Sequence, residues 1–283
     1  MNTETLTMFI TVAQAGSISA AAVQLGYAQS NISTKIKQLE NTLHTQLFYR
    51  NNRGIILTAT GQQLLQQAIK IVQLTDKTIA DIQHPNDVHG QLHIGTLQTA
   101  ASTFLPQVLS RYHRQQTKVT LTIQTGTTLA STQSVLNYQL DGAIIGGQIS
   151  TTDLTVMPLM QESLCLITAN SSNIDIQHSP ILVFPVGCAY RNTLERWLDS
   201  QKITLHQPIE FDYLNAMIAS VSAGLGITIL PKRVVQPYLE AGAISALALP
   251  EPFASLPISF IYRHDYIISR PLERFIAELK INK

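Results

Sequence analysis

The sequence predicts a winged helix-turn-helix head that is mostly α-helical, a linker helix, and then a two-lobed α/β domain. Three observations predict this order. Helical apolar periods near the N-terminus are broken at Gly16 and Gly26, and a single apolar stripe then runs up to Pro85. After Gln91 short strands alternate with helices, and the alternation starts again after Glu162.

Composition limits the class of protein. With 283 residues, of which 45% are apolar and 13% charged, the chain can bury two ordinary cores. It has no apolar run of the roughly 18 to 20 residues that a membrane helix needs, and no N-terminal export signal, so we expect a cytoplasmic protein with no membrane partner. Cys165 and Cys188 are interpreted as buried thiols, and Cys188 is also a candidate for a pocket wall.

The head is predicted to hold three helices. Apolar residues follow a helical period in the first of them: Leu6, Phe9, Ile10 and Ala13. Gly16 suits the end of this helix, Ser17 or Ser19 can cap the second, and Gly26 ends the second. A third helix is expected at about Gln29–Leu43. Helix, tight turn, helix is the order in which the later helix enters the major groove of DNA.

The outer face of this third helix is rich in hydrogen-bonding side chains and has no acidic residue before Glu40. Such side chains suit base edges and phosphates, although a solvated helix face would have the same composition. The net charge of +1 adds no strong attraction, and the first sixty residues hold only four cations against two carboxylates. The residues expected at DNA on this face are Gln29, Ser30, Asn31, Ser33, Thr34, Lys35 and Lys37.

A β-hairpin is expected directly after these helices. The stretch LFYRNNRGIILT (Leu47–Thr58) has two short strand-like runs around a turn-forming cluster. A hairpin in this position is a wing. Arg50 and Arg53 lie at its tip, where they can reach the DNA backbone or the minor groove.

One ungapped order of positions runs through these sixty residues: Phe9, Val12, Gly16, Ser17, Ala21, Ala22, Leu25, Gln29, Ser30, Ser33, Ile36, Leu39, Glu40, Leu43, Leu47, Phe48, Arg50, Leu57, Thr58 and Gly61. It resembles the N-terminal domain of LysR-type transcriptional regulators. The resemblance implies DNA contacts by Gln29, Ser30, Ser33, Lys37, Arg50 and Arg53, and the candidate set adds Ser17, Asn31, Thr34 and Lys35. It also implies that the DNA is a promoter-proximal pseudo-palindrome and that RNA polymerase is a candidate partner.

Three positions depart from the family pattern. Ala28 stands where a capping Ser is frequent, and Thr34 where Arg is frequent. His44 replaces the usual Gly after the third helix, where a left-handed backbone conformation favours glycine.

Thr58 can cap a long helix that runs to about Gln83. Its apolar stripe is too wide for a lone surface helix: Leu64, Leu65, Ala68, Ile69, Ile71, Val72, Ile79 and Ile82. Packing onto its own domain would explain the stripe, but the equivalent helix of the family pairs with a second copy, which implies a homodimer or homotetramer. The expected domains are therefore 1–58 for the winged head, 59–88 for the linker and dimerisation helix, and 89–283 for effector binding.

Alternating strands and helices in the last domain predict βαβ units and a mostly parallel sheet. Strands are expected at 91–95, 119–126, 141–147, 181–184, 209–211 and 227–230, and helices at 104–112, 128–140, 191–200, 214–223 and 270–280. Lobe I is assigned to 89–161 plus 266–283 and lobe II to 162–265, with crossings near Met160–Ser163 and Tyr262–Asp265. The pattern resembles the effector domain of the LysR family, which is similar to periplasmic solute-binding proteins.

A ligand would lie beyond the carboxyl ends of the strands, where helices begin. Hydroxyls and amides there suit an anion such as a carboxylate, and Arg191 can add a bidentate clamp. Helix capping by Thr99, Ser102 and Thr128 and an ion pair of Arg191 with Glu195 are the alternatives. The candidate effector residues are Leu97, Gln98, Thr99, Ser102, Gly126, Thr127, Thr128, Gly146, Cys188, Tyr190, Arg191, Tyr213 and Asn215.

These patterns predict a sequence-specific regulator controlled by a small anionic effector. The alternatives are a solute-binding module, in transport or in the cytoplasm, and an enzyme of the same two-lobed fold. The sequence has no phosphate-binding loop, no H-E-x-x-H and no G-x-S-x-G, so neither catalysis nor a cofactor is expected. The histidines at 84, 89 and 93 are not joined by a cysteine cluster, and no metal site is expected.

Overall fold

The computed structural model describes residues 1–51, 54–83, 88–170, 176–205, 207–265 and 267–281. The chain divides into two compact units. The first comprises Met1–Asp87 with Tyr266–Ser269, and the second comprises Val88–Asp265 with Arg270–Lys283. No helix among the described residues combines the length and hydropathy that crossing a bilayer requires.

The first unit has the predicted order of three helices, a hairpin and a long helix. Its elements are α1 (Thr3–Ala15), α2 (Ile18–Leu25), α3 (Gln29–Leu43), β1 (Phe48–Asn51), β2 (Gly54–Leu57) and α4 (Ala59–Gln83). The predicted helix ends are confirmed, because Gly16 and Gly26 end α1 and α2 in the left-handed conformation. The Ser17 side chain caps the start of α2, as predicted. The Thr58 hydroxyl accepts from the Gly61 N–H at 2.9 Å at the start of α4.

One face of α3 packs into the core of this unit. Ile32, Ile36 and Leu39 are buried, and the rings of Phe9 and Phe48 lie 5.2 Å apart between α1 and the wing. The first half of α4 packs against α1. Gly61 permits this approach, since a Cβ there would lie 2.1 Å from the Leu47 carbonyl oxygen.

The apolar stripe of α4 divides into two parts. Leu65, Ala68 and Ile69 are buried on their own domain. Further along, Ile79 and Ile82 are 47% and 75% exposed. Packing onto its own domain therefore accounts for only the first part of the stripe.

The second unit alternates strands and helices through most of its length. Its elements are β3 (Gly90–Thr96), α5 (Gln98–Ser102), α6 (Leu105–Gln115), β4 (Val119–Thr125), α7 (Thr128–Leu136), β5 (Gly142–Gly146), β6 (Leu154–Ala169), β7 (Leu182–Val183), α8 (Ala189–Ser200), β8 (Ile209–Glu210), α9 (Leu214–Ser222), β9 (Thr228–Pro231), α10 (Lys232–Glu240), β10 (Ile244–Ala248), β11 (Ser255–Arg263) and α11 (Arg270–Ile281). Each predicted element has a counterpart there.

The main sheet has seven strands in the order β10-β6-β11-β5-β3-β4, with β9 also paired to β6. Only the β3–β4 and β3–β5 pairs in it are parallel, so the prediction of a mostly parallel sheet is wrong. The long strand β6 causes the difference. Its first ten residues pair antiparallel with β11, and its last residues pair antiparallel with β9 and β10.

Strand β6 changes its pairing partner after Ser163, from β11 to β9, and the first predicted crossing between the lobes lies near Met160–Ser163. The second crossing differs from the prediction at Tyr262–Asp265. Residues 258–261 of β11 already hydrogen bond to β5, so the chain has returned to the first lobe by Ile258. The apolar run in β11 would suit either sheet, and the sequence does not specify which strand lies beside it.

Two further details concern helices of the first lobe. The helix expected over 128–140 stops at Leu136, because Tyr138 has φ of 58° and turns the chain so that Leu140 packs on Val135. The last helix, α11, returns to the first lobe as predicted. There the Tyr112 hydroxyl donates to the Pro271 carbonyl at 3.0 Å.

Candidate functional site

The outward face of α3 is polar and open to solvent. Opposite the buried Ile32, Ile36 and Leu39, the side chains of Gln29, Ser30, Asn31, Thr34 and Lys37 are exposed, and those of Ser33 and Lys35 are half-buried. The Thr34 hydroxyl donates to the Ser30 carbonyl at 2.8 Å, and Ser17 accepts from the Ala20 N–H at 3.4 Å as the cap of α2.

The first turn of α3 lacks a side-chain cap. Ala28 is the N-cap residue and makes no side-chain hydrogen bond, so the N–H groups of the first turn are not satisfied by a cap. At the other end, His44 occupies the left-handed conformation with φ of 52°. The departures at Ala28 and His44, two of the three seen in the sequence, therefore have visible structural consequences.

Glu40, the one acidic residue of α3, has a structural role that sequence reasoning missed. Its carboxylate accepts from the N–H groups of Leu47 and Phe48 at 2.9 and 3.4 Å, just where the wing begins. The acidic group is thus directed at the protein backbone. Of the two wing arginines, Arg53 lies outside the described residues, and Arg50 is described only as part of β1.

The predicted effector residues of the second unit lie in two neighbouring cavities and beside them. A cavity of about 320 Å³ is lined by seven of them: Leu97, Gln98, Thr99, Gly126, Thr127, Cys188 and Tyr190. It is lined as well by Thr125, Phe184, Pro185 and Asp212, which sequence reasoning missed although each lies close in the chain to a predicted position. A second cavity of about 260 Å³ is lined in part by Gln98, Ser102, Tyr213 and Asn215.

Two of the predicted residues pair with each other beside these cavities. The Thr128 hydroxyl donates to the Gly146 carbonyl at 3.0 Å and accepts from the Gly146 N–H at 3.2 Å. Thr127, and not Thr128, is the N-cap residue of α7.

A buried chain of hydrogen bonds joins the two lobes at the larger cavity. The Tyr190 hydroxyl donates to Glu162 Oε2 at 2.7 Å, and therefore the Thr99 hydroxyl, 2.8 Å away, donates to Tyr190. Glu162 lies on β6 and is 5% exposed. Burial raises the pKa of the Glu162 carboxyl, and the hydrogen bond from Tyr190 partly offsets that rise. No sequence pattern pointed to Glu162.

The side chain of Gln98 makes a second connection between the lobes. Its carbonyl oxygen accepts from the Leu214 N–H at 2.9 Å, and its amide nitrogen donates to the Asp212 carbonyl. Gln98 therefore caps the start of α9 from 116 residues away along the chain.

Arg191 does not take the clamp position predicted for it. Its guanidinium lies 2.7 Å from Glu195 and 2.8 Å from Glu210, and it also donates to the Phe184 carbonyl at 3.0 Å. Arg191 is not among the residues that line the two cavities. The alternative interpretation, an ion pair of Arg191 with Glu195, agrees with the structure. Glu210 is a second carboxylate partner of the same guanidinium.

Two family models match the chain. Residues 3–62 match the lysR family of bacterial regulatory helix-turn-helix proteins, and residues 85–282 match the LysR substrate binding domain. The chain belongs to the LysR family. It is a DNA-binding transcriptional regulator with an effector-binding domain, and it is not an enzyme.

Similar proteins agree with this membership. The HTH-type transcriptional regulator YofA of Bacillus velezensis is 39% identical to this LysR-type regulator over 282 residues, covering 99% of this chain and 98% of the relative. Among solved structures, a full-length OxyR from Pseudomonas aeruginosa has a TM-score of 0.75 at 21% identity and covers 100% of this chain and 94% of its own. The LysG regulator of Corynebacterium glutamicum with bound effector Arg has a TM-score of 0.70 at 20% identity, covering 100% and 98%. At these identities the two structures establish the fold alone.

Proposed function

We propose that this LysR-type regulator reads base edges with the first turn of α3. The observation that carries the proposal is the division of α3 into a buried apolar face and an exposed polar face that starts with Gln29, Ser30 and Asn31. Amide and hydroxyl side chains at the start of a recognition helix can donate to and accept from base edges in the major groove. The uncapped N–H groups after Ala28 would add a phosphate contact.

The remaining proposed contacts hold the head on the DNA backbone. Lys35 and Lys37 supply positive charge beside the reading positions, and Arg50 and Arg53 of the wing would reach the backbone or the minor groove. Ser17, Ser33 and Thr34 complete the proposed set. Thr34 would contact phosphate while its hydroxyl proton stays on the Ser30 carbonyl.

We propose that two or four copies bind one pseudo-palindrome through α4. The exposed apolar residues of its later turns, among them Leu74, Ile79 and Ile82, would be covered by the same helix of a second copy. The proposed domains are 1–58, 59–88 and 89–283. The last has lobes 89–161 plus 266–283 and 162–265, except that β11 belongs with the first lobe. One head has little net positive charge to attract DNA. When two heads are linked, binding of the first raises the effective concentration of the second head at its half-site.

We further propose that the effector binds in the cavity of about 320 Å³ between the lobes of the second unit. Its lining comes from the ends of strands and the starts of helices in both lobes, where a ligand can bias their relative position. The expectation that this effector is anionic was based on hydroxyls and amides at helix starts and on a clamp by Arg191, whose guanidinium is held by two carboxylates. The proposal therefore does not include a negative charge. A cytoplasmic location and contact with RNA polymerase are the remaining proposals, and they rest on the family resemblance.

Fluorescence anisotropy tests the recognition helix. The full-length protein is titrated onto the DNA upstream of its own gene and onto a scrambled duplex at one stated salt concentration. A Gln29→Ala/Ser30→Ala variant is expected to lose the preference for the native duplex. The matched control is Gln38→Ala/Thr42→Ala, which changes two exposed positions in the later turns of the same helix. If both variants keep the preference, the first turn of α3 does not read the bases.

A further inference from the structure

The cavity between the lobes, if it is the effector site as proposed above, has a lining that identifies the charge class of its ligand. Its polar groups are the hydroxyls of Thr99, Thr125, Thr127 and Tyr190 and the amide of Gln98. Within the part of the chain that the structure describes, no lysine or arginine lines it. Neutral hydrogen-bonding groups therefore dominate its polar surface.

An anion would find no lysine or arginine among the described residues that line this cavity. The guanidinium of Arg191, the nearest candidate in the sequence, is already paired with Glu195 and Glu210. Asp212 lines the cavity, and the carboxylate of Glu162 lies directly behind Tyr190. Burial of a carboxylate without a cation carries a large desolvation penalty, and the buried carboxylate of Glu162 nearby would increase it.

The backbone groups at helix starts do not replace a cation. The Leu214 N–H of α9 donates to Gln98, and the Leu129 N–H of α7 donates to the Gly187 carbonyl at 3.1 Å. The Ala130 N–H donates to the Thr127 hydroxyl at 3.2 Å. These three donors are thus used by the protein itself.

A cation is disfavoured by a different feature. The helices α5, α7 and α8 all begin at this cavity, and the N-terminal end of a helix carries partial positive charge. Asp212 is exposed to solvent, so its attraction for a cation is screened. The Glu162 carboxylate already accepts the Tyr190 hydroxyl proton.

We propose that the effector of this regulator is an uncharged molecule with a hydrogen-bonding end and an apolar body, of the class of primary amides, lactams and alcohols. The Thr127 hydroxyl can donate to a ligand, and the hydroxyl oxygens of Thr99 and Tyr190 can each accept from one, so the three match an amide or alcohol without a net charge. Leu97, Phe184 and Pro185 supply apolar surface for the body of the ligand. The volume of about 320 Å³ suits a small molecule.

Probes of similar size that differ in charge test this class. Benzamide, benzoate and benzylamine are titrated against the full-length protein by ligand-observed NMR at neutral pH. Benzamide is expected to bind at least tenfold more tightly than either charged probe, a difference of about 1.4 kcal/mol. Benzoate or benzylamine binding as tightly as benzamide, or no binding of benzamide at its solubility limit, overturns the proposal.

A lysine introduced into the lining tests whether the preference for an uncharged ligand arises at this cavity. Thr125→Lys adds a cation to the lining. It is expected to strengthen the binding of benzoate at least tenfold and to change the binding of benzamide little. Thr120→Lys is the matched control, since Thr120 is an exposed residue of the same strand that does not line the cavity. Equal benzoate binding by the two variants, both shown to be folded by circular dichroism, overturns the assignment to this cavity.

The DNA titration run on the same preparations keeps the two proposals apart. If operator preference is intact and benzoate is the better probe, only the charge class is overturned. If operator preference is absent while benzamide is still preferred, the proposed DNA recognition fails and the class of ligand stands.

Discussion

Replacement of Tyr190 by phenylalanine isolates the buried hydrogen-bond chain between the lobes. The change deletes one hydroxyl, which donates to Glu162 at 2.7 Å and accepts from Thr99 at 2.8 Å, and leaves the ring in place. A hydrogen bond to a charged group contributes about 1.5–3 kcal/mol. Thr99 can turn its hydroxyl elsewhere, so most of the loss comes from the carboxylate. We expect Tyr190→Phe to lower the free energy of unfolding of the second unit by about 2 kcal/mol at neutral pH.

Thermal unfolding followed by tryptophan fluorescence measures this loss. The sequence contains one tryptophan, Trp197, which is buried on α8 in the second unit and so reports on that unit. For a domain of this size, a loss of about 2 kcal/mol corresponds to a Tm lower by about 4–8 °C. Protein concentration must be equal in all samples, because oligomers melt at concentration-dependent temperatures. Tyr213→Phe is the matched control, since Tyr213 is 59% exposed.

The pH dependence gives a second criterion. Burial raises the pKa of Glu162 above its unfolded value, so the ionised carboxylate costs stability at neutral pH. That cost disappears as the pH falls through the folded pKa, where the protonated form is favoured in the folded state. The hydrogen bond from Tyr190 to a neutral carboxyl is weaker, and the difference in Tm between Tyr190→Phe and the wild type should therefore narrow in acid. If the Tyr190→Phe protein has the same Tm as the wild type at neutral pH, the reasoning is refuted.

Three further predictions concern the head, and amide hydrogen exchange of peptides from residues 1–62 measures each. Gly61→Ala should destabilise the head by about 1–3 kcal/mol, because the new Cβ would lie 2.1 Å from the Leu47 carbonyl oxygen; normal protection would contradict that packing. His44→Gly should stabilise α3 by about 1 kcal/mol by removing side-chain strain at φ of 52°, and faster exchange of α3 would contradict it. Ala28→Ser should stabilise the start of α3 by about 1 kcal/mol through a new N-cap, and unchanged exchange there would mean that the introduced hydroxyl forms no cap.

The head could be predicted closely from the sequence. Gly16 ends α1, Ser17 caps the start of α2 and Gly26 ends α2. Each of these caps depends on hydrogen bonds within one helical turn. The bounds of α3 match the prediction because Ile32, Ile36 and Leu39 mark its buried face by their spacing. The role of Glu40 could not be predicted, since its partners begin seven residues away in the wing.

The cavity proposed for the effector could be predicted only in part. Helix starts after strands located Thr99 and Thr127 correctly at its wall. The same rule suggested Arg191, whose guanidinium instead pairs with Glu210 on a strand that is distant in the sequence. Local spacing predicts the pair of Arg191 with Glu195, but it carries no information on Glu210, which the fold brings near.

By itself the sequence determined the family, the order of elements and the divided surface of α3, because caps, breakers and apolar periods act between near neighbours along the chain. Only the tertiary structure decided that β11 lies beside β5, that Gln98 caps α9, and that Thr99, Tyr190 and Glu162 form one chain of hydrogen bonds. Each of these contacts joins residues that are far apart in the sequence, the nearest pair being 28 positions apart. Such contacts arise from the packing of whole elements, which local residue patterns do not encode.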